Sequence, residues 1–186
     1  MKLDSSDFVD NGNISEGDDV DILGNSLNKL VGWLELVQLR GQWKLLGKTV
    51  IWTNGCFDLL HIGHVRSLQR AKAVGHILVV GVNSDKSVRT LKGDTRPIVP
   101  LVDRMQMLAA LECVDYVVSF DELTPERCLL ELQPDIHCKG ADYAPPGGKP
   151  IPEASLVYSY GGKIIYIPIE GGISTTSIIK SIGQGK

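Results

Sequence analysis

The sequence lacks an apolar run that could cross a bilayer as a helix, which needs about 20 such residues. It also lacks a basic, apolar leader. Residues 1–25 carry seven acids (Asp4, Asp7, Asp10, Glu16, Asp18, Asp19 and Asp21) against one base, Lys2, the reverse of a signal or transit peptide. The expected location is the cytoplasm, with no membrane partner. No Cys-x-x-Cys occurs: Cys56, Cys113, Cys128 and Cys138 stand apart, and no Cys/His spacing fits a zinc site. Three of the four lie in apolar surroundings and are expected to be reduced core residues. No Gly-x-Gly-x-x-Gly follows a strand, which argues against a nicotinamide or flavin site. The phosphate loop of nucleoside triphosphatases is missing too. GQWKLLGKT, residues 41–49, imitates it, but five residues instead of four separate Gly41 from Gly47, and the stretch precedes a strand instead of following one. A strong net charge is absent as well. The formal value is −3, so nothing points to nucleic acid.

What is present suits one globular domain. The chain has 186 residues, enough for a sizeable core, and 43% hydrophobic against 22% charged residues is ordinary for such a domain. The acidic residues concentrate in the first 25, which read as a flexible tail. The remainder is mildly basic, a balance that suits an anionic substrate and equally an ordinary scatter of surface charge. Leu27, Leu30, Val31, Leu34 and Val37 fall at helical spacing, and they predict an amphipathic helix over 26–41 with Gly41 as its stop. It would pack on the main domain, over 45–186, or on another subunit. From residue 48 short apolar runs alternate with helical patterns. KTVIWT, HILVVGVN, DYVVSF, DIHCKG and KIIYIPI read as strands. The segments between them read as helices. Such alternation predicts an α/β fold, a Rossmann-like doubly wound parallel sheet with helices on both faces. Ligands of such sheets bind beyond the C-terminal strand ends. The polar motifs follow residues 53, 82, 139 and 169, at those ends.

The most specific motif is TNGCFDLLHIGH, residues 53–64. A strand runs into the Asn54-Gly55 turn, where backbone amides can face an anion. His61 and His64 then open a helix, three apart and so on one face. Free amides at a helix start favour phosphate, and Gly63 allows close approach to the backbone. Imidazoles there can donate hydrogen bonds to phosphate oxygens, most usefully when a pentacoordinate phosphorus gathers charge.

This arrangement resembles the His-x-Gly-His nucleotidyltransferase superfamily, which includes cytidylyltransferases, phosphopantetheine adenylyltransferase and, more distantly, class I aminoacyl-tRNA synthetases. TNGCFDLLHIGHVRSL, VGVNSDKSV, LKGDTRPIVPLVDRMQMLAALECVDYVVSFDELTP, DIHCKGADY and GGISTTSIIKSI together resemble one family within it. That family is the adenylyltransferase domain that makes ADP-heptose from D-glycero-D-manno-heptose 1-phosphate, often fused behind a sugar kinase. The similarity covers roughly residues 45–183. With a short acidic tail and one helix ahead of the domain, a stand-alone version is expected.

The resemblance implies AMP transfer from ATP to the sugar 1-phosphate, with Mg2+ held mainly by the triphosphate and no protein ligand assigned to it. It implies His61, His64 and Lys92 as catalytic. Thr53, Asn54, Gly55, Cys56, Phe57 and Gly63 would line the phosphate pocket. Asp58 would orient this loop or a phosphate-bound water, or else cap the turn. Lys139 and Gly140 would contact base and ribose, and Asp142 the ribose or the loop itself, although the family more often has Gly where this chain has Ala141. Ser174, Thr175 and Thr176, after the flexible Gly171-Gly172, would cap the last helix and offer a second anion site. Asn83 and Asp85 would cap the helix after the second strand or touch substrate. Arg96 and Arg104 are further substrate candidates; for Arg104 a surface salt bridge fits the sequence as well. A homo-oligomer, a dimer first, is expected. Two alternatives remain at this point. One is a cytidylyltransferase acting on glycerol 3-phosphate or a related phospho-alcohol. The other is a nucleotide-binding protein without catalysis.

Overall fold

The computed structural model describes residues 24, 26–168 and 175–183. Five strands form one parallel sheet in the order β3-β2-β1-β4-β5. They are β1 (Val50–Gly55), β2 (Ile77–Asn83), β3 (Tyr116–Phe120), β4 (Ile136–Gly140) and β5 (Lys163–Ile167). The strands alternate sides with period two, and both sides are apolar, as a sheet covered on both faces requires. Ile51, Leu78, Val80, Val82, Val117 and Cys138 meet Leu68 and Ala71 of α2 (Ile62–Lys72) and Leu108 of α4 (Leu101–Ala109). Val50, Trp52, Val79, Val118 and Phe120 face the other way. They meet α1 (Trp33–Leu45), α5 (Glu126–Leu132) and α6 (Ala154–Ser159) through Leu36, Trp43, Leu129, Leu132 and Val157. Trp52 is fully buried and its ring lies over Gly81 of β2. A Cβ at residue 81 would stand 2.4 Å from that ring, so the glycine makes room for the indole.

The first helix differs from the sequence expectation. It runs over Trp33–Leu45, not 26–41, and it passes through Gly41. Lys29–Val31 instead adds a bridge to the edge strand β3. The Val117 amide donates to the Lys29 carbonyl at 2.8 Å, and the Val31 amide to the Val117 carbonyl at 3.1 Å. Satisfying an open sheet edge draws this segment out of the helix. The phase therefore shifts: Leu34 is 81% exposed, while Val31, Leu36 and Trp43 are buried. One glycine in a helix costs only about 1 kcal/mol against alanine, so Gly41 does not stop it. The helix packs on the domain itself, where Arg40 reaches the carbonyls of Leu132 and Gln133 and the carboxylate of Asp135.

Two helices complete the described chain, α3 (Asp85–Lys92) and α7 (Thr175–Gly183). The chain leaves β1 toward β2 and β3, then crosses back to place β4 on the other side of β1. The strand ends diverge there, and that switch point is where such sheets open a crevice. Among the described residues, no helix is long and apolar enough to cross a membrane.

Candidate active site

A cavity of about 190 Å³ lies at the switch point. Its walls are Thr53–Phe57 from β1 and the loop after it, His64, Ser67, Leu68 and Ala71 of α2, Cys138–Gly140 of β4, and Ile167. The Thr53 hydroxyl ties β1 to β4 by donating to the Cys138 carbonyl at 3.3 Å. Asn54 accepts from the Trp52 indole at 3.3 Å, which fixes its amide at the cavity edge. The loop turns at Phe57, whose φ of 47° is in the left-handed region. This turn brings the Phe57 ring against His64, with centroids 5.4 Å apart.

His61 begins α2 in extended geometry, and no side chain caps that helix start. The amides of His64 and Val65 bond the His61 carbonyl. Residues three apart share a face, and here the two imidazoles stack, centroids 3.9 Å apart and planes 28° from parallel. Nδ1 of each ring is shielded from solvent and has no hydrogen-bond partner. An unsatisfied buried polar atom costs about 1–3 kcal/mol, so both rings carry an unmet hydrogen-bonding demand. Burial and the neighbouring His61 push His64 down to about 4, and burial lowers His61 as well. Both are neutral at pH 7, and a neutral imidazole still donates one N–H.

Other candidates are committed within the protein. Asp58 is 2% exposed and turned away from solvent. It accepts from Arg96 Nε and from the amides of Ile98 (2.8 Å) and Val99 (3.0 Å), so it orients the loop that follows α3. Arg96 thereby has one of its guanidinium nitrogens, Nε, on Asp58. Arg104 is fully buried and makes no surface salt bridge. It donates to the Cys56 carbonyl, to the Val99 carbonyl at 3.0 Å and to Asp85 at 2.7 Å. Neither Asn83 nor Asp85 caps α3. Ser84 does, accepting from the Ser87 amide at 3.3 Å, because it is the residue directly ahead of the first turn. Asn83 is buried and donates to Ser87 Oγ and the Glu122 carbonyl. Asp142 pairs at the surface with Lys149 at 2.7 Å.

Lys92 ends α3 on the surface. Burial pushes the Cys56 thiol up, against the positive charges of Lys92, Arg104 and Arg96. Thr175 opens α7 and donates to the Leu59 carbonyl at 3.2 Å, tying the last helix to the histidine loop. Thr176 lies exposed on the same turn. Ser174, Gly171, Gly172 and residues 1–23 and 25 of the tail lie outside the described residues. Among those described, no group of three or more His, Cys, Asp and Glu side chains is placed to hold a metal.

Two features escaped the sequence reading. Ser67 lines the cavity one turn beyond His64, and its spacing of three from that histidine was the available signal. Glu153, read only as part of a helix, is buried against Lys139 and His137. No local pattern marks that cluster, since 14 residues separate Glu153 from Lys139.

A family model described as cytidylyltransferase-like matches residues 52–181. The bifunctional protein HldE of Geobacter metallireducens is 47% identical over 164 residues, 88% of this chain and 32% of that protein. HldE of Syntrophotalea carbinolica is 52% identical over 136 residues, 73% of this chain and 27% of that protein. The chain thus spans about a third of the length of these curated relatives. Among solved structures, the lipopolysaccharide core biosynthesis protein of Thermoplasma volcanium is 27% identical with a TM-score of 0.53. The match covers 68% of this chain and all of that one. The matched span holds the histidine loop, all of the sheet but Val50 and Ile51, and the start of α7, and the chain belongs to the cytidylyltransferase-like family.

Proposed function

We propose that the chain transfers AMP from ATP to D-glycero-D-manno-heptose 1-phosphate, giving ADP-heptose and pyrophosphate. The observation that carries this reading is the stacked His61–His64 pair, with unpartnered nitrogens, at the start of α2 beside the switch-point cavity. The HldE relatives, about half identical over this domain, support adenylyl transfer to a heptose phosphate. The role of the Thermoplasma protein in lipopolysaccharide core biosynthesis agrees with a surface-polysaccharide product.

In this reading an oxygen of the sugar phosphate attacks the α-phosphorus of ATP. One P–O bond forms, the bond to the β-phosphate oxygen breaks, and pyrophosphate leaves with that electron pair. The nucleophile is already an anion, so no side chain needs to remove a proton. Catalysis is positioning and charge neutralisation. His61 and His64 donate to the phosphates as charge builds. The uncapped amides of α2 add their partial positive charge. Lys92 meets the attacking phosphate or the triphosphate, and Thr176 offers a hydroxyl at the second helix start. Lys139 and Gly140 border the base and ribose. Mg2+ enters as part of the substrate, on the triphosphate oxygens. The cytoplasm, where ATP is made available, is the proposed location, and a homodimer the proposed assembly, which light scattering would check.

The test is pyrophosphate release from the purified chain, with ATP or CTP each paired with heptose 1-phosphate or glycerol 3-phosphate. Turnover is expected with ATP and the heptose. Preference for CTP with glycerol 3-phosphate would overturn the reading in favour of a cytidylyltransferase.

A further inference from the structure

Glu153 stands just ahead of α6 and is 1% exposed. A carboxylate so deep needs partners. Its Oε1 accepts from two side chains of β4, His137 Nε2 at 3.1 Å and Lys139 Nζ at 2.7 Å. Those residues are two apart on a strand and so share a face. His137 is fully buried, and burial pushes its imidazole down; it is neutral and donates from Nε2. Burial pushes Glu153 up, but the bonds from His137 and Lys139 outweigh it and hold the carboxyl at about 2. The cluster therefore holds one carboxylate and one ammonium, with a neutral donor between β4 and α6.

Stability alone does not account for it. Apolar residues of similar volume commonly serve a core as well as a buried ion pair does. The lysine, however, is a residue of the cavity wall. Gly140 forms part of that wall too, and the ammonium lies 4.9 Å from the ring centroid of Tyr143, in the turn Ala141–Tyr143 after β4. Glu153 and Tyr143 thus hold the lysine from two sides, at the point where the strand gives way to the turn.

We propose that Glu153 is a positioning residue for nucleotide binding: acting through Lys139, it holds the end of β4 and the Ala141–Tyr143 turn as one set wall of the cavity. This rests on the reading of the cavity as a nucleotide site. Pre-set walls lower the ordering cost of binding, so the effect belongs to ATP affinity and not to the chemical step.

Calorimetric titration of ATP into the full chain, with steady-state kinetics beside it, tests this. Glu153→Gln keeps the volume and removes the charge that holds Lys139. It is expected to weaken ATP binding and raise KM for ATP about tenfold, with kcat within about threefold of wild type. Lys139→Met should weaken ATP binding at least as much, because Lys139 itself borders the base and ribose. The double variant should bind no more weakly than Lys139→Met, because the glutamate acts through the lysine. Unchanged ATP affinity in Glu153→Gln, or losses that multiply in the double variant, would overturn the proposal. If Glu153→Gln does not fold, Glu153→Met, which removes the charge without leaving a buried polar group, decides instead: wild-type ATP affinity there sinks the idea, and a loss of about tenfold sustains it. A wild-type chain that binds neither ATP nor CTP would instead remove the nucleotide-site reading itself.

Discussion

Two clusters flank the loop between β1 and α2, and they treat their polar groups in opposite ways. On one side, Asp58, Arg96, Arg104 and Asp85 satisfy one another and the carbonyls and amides around them. On the other, His61 and His64 stack with buried nitrogens that have no partner. The charged cluster builds the loop, and the neutral pair takes no part in that network. A cation near a phosphate site is therefore no guide to phosphate contact until its partners are known. Arg104 is fully buried, and each of its three guanidinium nitrogens donates within the protein, to Asp85 or to one of two carbonyls.

The sharpest way to break this contrast is His64→Ala. If the histidines meet the reacting phosphates, kcat/KM for pyrophosphate release should fall about 10²–10³-fold, as for loss of one oxyanion donor. Circular dichroism and Tm should stay near wild type, since the imidazole makes no hydrogen bond in the free protein. Arg104→Leu should do the reverse. It leaves Asp85 and the Cys56 and Val99 carbonyls without their donor and should cost about 3 kcal/mol in urea unfolding. Arg104→Lys should recover only part of this, because an ammonium cannot fork to three acceptors.

Lys92 sharpens the contrast from a third position, since it is exposed and has no carboxylate beside it among the described contacts. Lys92→Ala should leave Tm unchanged and lower kcat/KM about tenfold, or about 1.4 kcal/mol. A loss of stability instead would move Lys92 into the structural cluster.

The smallest effect concerns pH. His64 titrates near 4 in the fold against 6.5 when free of it. Between those values the unfolded chain takes up a proton that the folded chain refuses. Stability is therefore full above the upper value, falls as pH drops through the window, and levels off below the lower one. Solvent at the partly open site screens the effect to on the order of 1 kcal/mol. Urea midpoints at pH 7 and pH 4.5 should show it, and His64→Gln should flatten the slope. ATP should act in the opposite sense, because phosphate beside the ring favours its protonated form. Isothermal titration in two buffers should register proton uptake on binding.

Much of this was legible in the sequence, and the misses have physical causes. The strands were legible because both faces of the sheet are buried, so each is a short apolar run bounded by polar turns. The histidine motif was legible because its spacing and its place after a strand are local. The first helix was misread in phase, because Lys29–Val31 answers an edge strand nearly ninety residues away (Val117 to Lys29) and not its own neighbours. Asp58, Arg96 and Arg104 could be named but not assigned. Their partners lie 38, 19 and 48 residues off: Arg96 for Asp58, and Asp85 and Cys56 for Arg104. Glu153 gave no signal, since its meaning depends on two side chains of another element.

The sequence by itself determined the alternation of strands and helices, the parallel sheet with polar motifs at its C-terminal strand ends, and the pair of imidazoles at a helix start. These are properties of neighbours in the chain, set by side-chain periodicity and turn chemistry. Only the tertiary structure decided which charges hold the loop and which groups face the cavity. Pairing depends on distance between remote segments, and burial decides how costly it is to leave a charge unpaired.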